Sequence, residues 1–255
     1  MSFATPARLP LLPPAPFAAT DGLTVSIIIP TYNEAAGIEK LLVWLQQQTT
    51  GETGLEMMVA DGGSTDGTRA LARRQGAQVL RCPRKGRAAQ LNHAARLARG
   101  ELLYFLHADS FPPPGFLAEL RQAAAQGFGS GCFRLAFDHP HWFLRFSAWC
   151  TRLPLRLVRF GDQSLFVRRG LFAQVGGFRE DLHLMEDQDL VVRLQARARF
   201  RLLPRAVTTS ARKYLVNGVF RLQGIFTGLA VLYWLGLPQP WLLRLYRRLV
   251  RQGKL

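Results

Sequence analysis

Four short apolar runs, each leading into a polar cluster and alternating with stretches of helical periodicity, constrain this chain more than any other feature. The first, VSIII at residues 25–29, is β-branched and has no polar alternation beyond Ser26. Such a run suits a strand covered on both faces. Ile38, Leu41, Leu42 and Leu45 then share one helical face, and Asn33 stands where an N-cap belongs. LEMMVA at 55–60 is a second strand, followed by a glycine-rich polar loop and a helix around Ala70 and Leu71; AQVLR at 77–81 is a short third strand. GRAAQLNHAARLA predicts a helix that packs through Leu91, Ala94, Ala95 and Ala98. LLYFLHADS at 102–110 is the fourth strand, and its tip carries His107 and Asp109. The order β-α-β-α-β-α-β predicts an α/β fold, a mostly parallel sheet flanked by helices.

Beyond FPPPGF the pattern loosens. It predicts a helix near 114–125, a strand over 129–137, a strand, short helix and turn over 161–178, an amphipathic helix from Met185, and a last strand at FRLLP. Residues 139–160 mix aromatics with arginines, and residues 222–243 carry no charge. No internal repeat or second large domain is visible. Residues 1–20, broken by Pro10, Pro13, Pro14 and Pro16, read as a disordered proline-rich leader and not as a signal peptide. The folded unit is placed at 24–213, with a C-terminal apolar and basic helical segment over 214–255.

With 255 residues, 48% hydrophobic and 20% charged, the chain can bury one good core and is not a disordered type. The net charge is +16, nearly all from arginine. Arginine forks suit phosphate, nucleic acid and anionic headgroups, although arginine-rich codon usage explains such an excess equally well. Cys82, Cys132 and Cys150 lack metal or disulfide spacing, which reads as reduced thiols in a cytoplasmic protein. The uninterrupted apolar stretch 224–237 is shorter than the ~20 residues a span needs. Arg221, RLYRR, Tyr233, Trp234 and Trp241 around it suit a membrane interface. Two readings stay open: peripheral attachment to an anionic membrane surface on its inner face, or a helical cap or dimer contact.

In open parallel sheets ligands bind beyond the carboxyl ends of strands. PTYNE, DGGSTDGT and HADS all fall there. Asp61, backed by Gly62 and Gly63, suits hydrogen bonds to a ribose or base, or simply makes a turn. Asp109 suits a hard divalent cation such as Mg²⁺ or caps the next turn; His107 suits Mn²⁺ or is a structural histidine. Glu186, Asp187 and Asp189 crowd one helix start, more acids than a cap needs, so one can act as a base.

VSIIIPTYNEA, DGGSTDGT, GRAAQLNHA, LLYFLHADS, GDQSLFVRR with GGF, and MEDQDLVVRL occur in this order over about 24–213. This set resembles the family 2 glycosyltransferases of the GT-A fold, and looks most like their radical-SAM and selenodomain-associated subgroup. The resemblance implies donor contacts from Pro30, Tyr32, Glu34, Asp61, Asp66, Lys85, Arg87 and His107. It implies acceptor-side residues Gly161, Asp162 and Gln163, and a loop over the pyrophosphate carrying Arg212 and Lys213. The family's Asp-x-Asp metal motif is His107-Ala108-Asp109 here, so Asp109 is the implied ligand of Mn²⁺ or Mg²⁺, with His107 as a departure that touches metal affinity and donor choice. Asp187 is the implied base and Glu186 its support. The implied activity is inverting transfer of a hexosyl or related sugar from a nucleotide-diphosphate donor to an acceptor that includes lipid and lipid-linked candidates.

Three rivals remain at this point. A nucleic-acid binder fits the charge but leaves the acidic strand tips unexplained. A nucleotidyltransferase wants a glycine-rich basic signature near the first strand, which PTYNEAAG does not supply. A degenerate member that binds a sugar nucleotide without transfer has the His107 departure in its favour and the retained Asp61, Asp109 and Asp187 against it.

Overall fold

The structure is a computed structural model that describes Pro10 and residues 22–153 and 161–251. The expected leader at 1–20 and the arginine-rich stretch 154–160 lie outside the described residues, apart from Pro10.

The alternation seen in the sequence is realised as β1 (Val25–Thr31), α1 (Ala35–Gln48), β2 (Leu55–Asp61), α2 (Thr68–Arg74), β3 (Gln78–Arg81), α3 (Arg87–Leu97) and β4 (Leu102–Phe105). β5 (Ser110–Phe111), α4 (Phe116–Ala125), β6 (Ser130–Phe137), α5 (Trp142–Cys150), β7 (Leu165–Arg168), α6 (Arg169–Gln174), α7 (Glu186–Gln195) and β8 (Phe200–Thr209) follow. The eight strands form one sheet in the order β3-β2-β1-β4-β7-β6-β8-β5. β3, β2, β1 and β4 run parallel, whereas β7 is antiparallel to both its neighbours. The strand order reverses at β1, with β2 on one side and β4 on the other, the position at which open sheets of this kind bind ligands.

β1 shows why the sheet is covered twice. Val25, Ile27 and Ile29 join one core cluster with Ile38, Leu41 and Leu42 of α1 and Phe116 of α4. Ile28 points to the other face, into a cluster with Leu91 of α3, Phe172 of α6 and Leu190 of α7. The period-2 alternation of a strand puts apolar residues on both faces, so neither can meet water.

Three details differ from the sequence reading. β4 ends its ladder at Phe105, so His107 and Asp109 lie in a turn beyond the strand, closed by Ser110 N donating to His107 O at 3.1 Å. Asn33 does not cap α1. It takes the left-handed conformation at φ 54°, which asparagine tolerates, and its Oδ1 accepts from Thr65 N at 2.9 Å. β8 is longer than FRLLP, because pairing resumes past Pro204. The register shifts between Phe133↔Leu203 and Arg134↔Ala206, since a proline offers no N–H to a ladder.

The C-terminal segment is helical, as expected: α8 (Arg212–Asn217), α9 (Val219–Trp234) and α10 (Gln239–Leu249). α9 and α10 have their own small core of Leu222, Leu229, Leu242, Tyr246 and Val250, closed against Leu184 ahead of α7. No helix of the described residues is long and apolar enough to cross a membrane. The 16 residues of α9 extend only about 24 Å, short of a ~30 Å hydrocarbon core.

Candidate functional site

The tips of β1 and β2 are stitched into one wall. Asn33 N donates to Ser64 Oγ at 2.9 Å, Glu34 N to Thr68 Oγ1 at 2.8 Å, and Ala35 N to Asp66 Oδ2 at 3.1 Å. Asp61 is 1% exposed, and its Oδ1 accepts from Gly63 N at 3.1 Å and Ser64 N at 3.0 Å. The carboxylate therefore makes the turn that shapes this wall, which is the turn reading of Asp61. Asp66 also accepts from Thr68 N at 3.0 Å, holding the start of α2. Lys85 Nζ stands 5.2 Å from the centroid of the Tyr32 ring, at the rim beside the half-buried Pro30.

Opposite this wall the acids and bases interlock. Arg87 opens α3, and its guanidinium pairs with Glu186 and with Asp187 Oδ2 at 3.1 Å, at the start of α7. Glu186 is 1% exposed; burial pushes its carboxyl up, with Asp187 adding to the effect and Arg87 opposing it. Desolvation works against the Arg87 charge, but Glu186, Asp187 and Asp162 outweigh it and hold the guanidinium protonated. Sequence reasoning sent Arg87 to donor phosphates. Here it is engaged by the acidic pair, because a buried carboxylate without a counter-charge is costly. Asp189, the third acid, is buried and spent on Arg193 at 2.6 Å.

His107 Nδ1 lies 3.1 Å from Asp162 Oδ1. Burial disfavours the imidazolium, but the hydrogen bond to Asp162 overrides it and the histidine is raised above its usual range. Burial likewise works against the Asp162 charge, and His107, then Arg87 and Lys213, bring its carboxyl below the ordinary value. Asp109 is raised, first by burial and then by Asp162 and Glu34, with His107 opposing. Across the cleft mouth Arg212 Nη2 sits 3.9 Å from Glu34 Oε2.

Two expected contacts are corrected. Gln163 is fully buried, and its amide donates to Phe133 O at 3.1 Å, so it braces the 3-10 turn Gly161–Gln163 and does not face an acceptor. Lys213 is not on a closing loop but in the first turn of α8. Its ammonium donates to Tyr246 Oη at 2.6 Å and lies 5.5 Å from the centre of the Phe226 ring, whose face attracts a cation.

A family model described as "Glycosyl transferase family 2" matches residues 26–170, more than half of the chain. The chain belongs to glycosyl transferase family 2. Its relatives include protein MT1568 of Mycobacterium tuberculosis, 30% identical over 201 residues, covering 68% of this chain and 62% of that protein. Among solved structures, S. aureus TarS 1-349 in complex with UDP-GlcNAc superposes with a TM-score of 0.62 at 20% identity, over 74% of this chain and 58% of that one. Mannosyltransferase PcManGT from Pyrobaculum calidifontis, in complex with GDP-Man and Mn²⁺, gives 0.65 at 24% identity over 94% and 69%. These likenesses establish the GT-A fold. The chain spans less than two thirds of the length of the M. tuberculosis protein and of the TarS structure.

A divalent cation in this family 2 site must be held by the residues of the cleft. Among the described residues no group of three or more His, Cys, Asp or Glu is arranged to hold a metal ion alone. Asp109 nevertheless suits one. It is a carboxylate raised by burial and by two acidic neighbours, an environment that a cation relieves. Mg²⁺ and Mn²⁺ bind through one or two carboxylates, completing their shell with phosphate oxygens and water. His107 commits Nδ1 to Asp162, leaving Nε2 as the only nitrogen that could ligate.

Sequence reasoning missed two residues of the site. Gln90 on α3 donates its amide to Thr31 O at 2.8 Å and Ala60 O at 2.7 Å, joining the ends of β1 and β2. A polar residue among the packed positions Leu91, Ala94 and Ala95 was the signal for it. Ser164 is buried in the left-handed conformation at φ 53° and takes a hydrogen bond from Tyr104 at 2.9 Å. No local pattern announces that.

Proposed function

We propose that this chain transfers a glycosyl group from a nucleoside-diphosphate sugar to an acceptor hydroxyl with inversion at the anomeric carbon. The observation that carries this reading is the meeting of Asp109, the His107–Asp162 pair and the Arg87–Glu186–Asp187 cluster where the strand order reverses. The nucleoside side of the donor lies along the wall of Pro30, Tyr32, Glu34, Asp61, Asp66 and Lys85. The diphosphate lies toward Asp109. UDP-GlcNAc in TarS and GDP-Man in PcManGT support a nucleotide-sugar donor of this kind.

Asp187 removes the acceptor proton as the nucleophile attacks the face opposite the leaving group. Arg87 holds the Asp187 carboxylate until the diphosphate competes for the guanidinium, so donor arrival frees the base. Glu186, which is nearly inaccessible, anchors Arg87. Asp162 and Gly161 form the acceptor side, and Arg212 covers the diphosphate from the mouth. A divalent cation, when bound, offsets charge developing on the departing diphosphate. The His107-Ala108-Asp109 motif supports placement in the radical-SAM and selenodomain-associated subgroup. The acceptor is a lipid or lipid-linked hydroxyl, reached from the cytoplasmic face of an anionic membrane.

The test is Asp187→Asn, assayed by calorimetry with a panel of nucleotide-diphosphate sugars and by product formation. The expected outcome is donor affinity within a few-fold of the native protein and transfer reduced at least about 10²-fold. Retained transfer removes Asp187 as the base. A product with the donor's anomeric configuration, read by NMR, removes inversion.

A further inference from the structure

α5 is amphipathic with an apolar stripe on each side. Its inner stripe is ordinary: Leu144 is fully buried and packs with Ala211 and Val219, and Ala148 is buried too. Its outer stripe runs from Trp142 through Phe146 and Trp149 to Leu153 just beyond the helix. Their exposures are 66%, 54%, 50% and 36%. The spacing i, i+4, i+7 puts Trp142, Phe146 and Trp149 on one face, and Leu153 follows beyond the helix end. Phe220 of α9 continues the patch. It is 56% exposed and lies with its ring 4.8 Å from Phe143 and 5.8 Å from Trp142. Leu215 and Val216 of α8 are exposed beside the start of α9.

Scattered apolar residues need no explanation, but a contiguous aromatic face does. The exposed charges on these helices are all positive. Arg145 and Arg152 are exposed on the α5 segment, and Arg221 on α9. No aspartate or glutamate occurs from 139 to 161, or anywhere after Asp189. A symmetric pairing of two copies through this face would set these arginines against one another. An anionic lipid surface complements them, and aromatic rings with flanking arginines are what settle at a headgroup boundary.

The geometry points to the outer face of α5, with Phe220 and the exposed residues of α8, as the surface that seats this protein on an anionic bilayer. The placement serves the cleft. Ser210 N donates to Asp109 O at 3.2 Å, and Ala211, the next residue, is buried beneath α5. About one helix diameter, ~10 Å, therefore separates the membrane-facing rings from the Asp109 turn. An acceptor hydroxyl in the headgroup layer meets the site without leaving the bilayer. That last step rests on the glycosyl-transfer reading; the docking surface does not.

The experiment is co-sedimentation and tryptophan emission of the full chain with vesicles of phosphatidylcholine alone or with 30 mol% phosphatidylglycerol (roughly the anionic fraction at which such attraction is strong). The native protein is expected to bind the anionic vesicles and not the neutral ones. Phe146→Ser with Trp149→Ser should lower partitioning by about tenfold or more, with thermal unfolding and donor binding unchanged. Trp241→Ser on α10, 59% exposed, should change it less than about twofold. The proposal is overturned if the double variant binds as the native protein does, if binding ignores phosphatidylglycerol, or if the face instead holds a dimer that the double variant dissociates. Loss of donor binding in the native protein, with vesicle binding behaving as described, would overturn the glycosyl-transfer reading and leave the surface standing.

Discussion

Replacing Gln90 tests whether the cleft wall is built by a single buried amide. Gln90 is 5% exposed, and its two donated hydrogen bonds join the ends of β1 and β2 where the polar loops of the cleft wall begin. Gln90→Met keeps nearly the same shape and removes both donors. Thr31 O still accepts from Gly62 N at 2.9 Å, so the loss is of two neutral bonds and not of a wholly orphaned carbonyl. At ~0.5–1.5 kcal/mol each, the expected destabilisation is ~1–3 kcal/mol. For a domain of this size that lowers Tm by roughly 2–10 °C. Gln90→Glu sharpens the test. It places a carboxyl oxygen against two carbonyl oxygens in a buried site, so only the protonated form fits, and its folded pKa rises above the unfolded ~4.3. Such a group leaves stability least affected below the unfolded pKa, and the loss grows as pH climbs toward the folded pKa. Urea titrations at about pH 5 and pH 8, where an ordinary glutamate is ionised throughout, should show this variant weaker at the higher pH. The reasoning is refuted if Gln90→Met unfolds within ~0.5 kcal/mol of the native protein, or if the Gln90→Glu penalty is the same at both pH values. Donor affinity should fall in both variants, since Asn33, Ser64 and Thr68 are registered by the same strand ends.

Asp109→Ala should abolish metal-stimulated turnover and lower metal-dependent donor binding, read by calorimetry with and without Mn²⁺; unchanged stimulation would exclude Asp109 as a ligand. Burial, with Asp61 adding to it, pushes the Cys82 thiol up to about 12, so at pH 8 it is almost wholly protonated. Its labelling by a disulfide reagent should lag far behind a free thiol and accelerate on unfolding. Tyr246→Phe keeps the ring and its packing but removes the 2.6 Å acceptor of Lys213. If that bond positions Lys213 toward Asp162 on the acceptor side, the acceptor KM should rise several-fold with kcat and donor KM little changed, and an unchanged acceptor KM would make Tyr246 structural only.

Much of the cleft wall at the ends of β1 and β2 was legible from local pattern. β-branched runs such as residues 25–29 suit doubly covered strands, and a polar residue directly after one falls near its tip. Asp61 and Asp109 were therefore placed before any geometry was known, and the spacing of Ile38, Leu41, Leu42 and Leu45 gave the face of α1. The family motifs extended this to Glu186 and Asp187 because a helix start is locally marked.

Pairing between distant segments was not legible. Arg87 and Glu186 are 99 residues apart, and only the packing of α3 and α7 on the same sheet face turns a phosphate ligand into the partner of a buried acid. Gln163 and Lys213 carried the right residue types, but their orientation depends on β6 and on α10. The outer stripe of α5 is the clearest case. Its period was in the chain, yet an apolar stripe reads as core until the sheet supplies a second, better-packed stripe for the inside. The sequence by itself determined strands, their tips and the chemistry at them, since these follow from backbone period and side-chain type. Which charges meet, which polar groups turn inward and which aromatic face is left to solvent were decided by tertiary structure, because burial is a property of neighbours and not of residues.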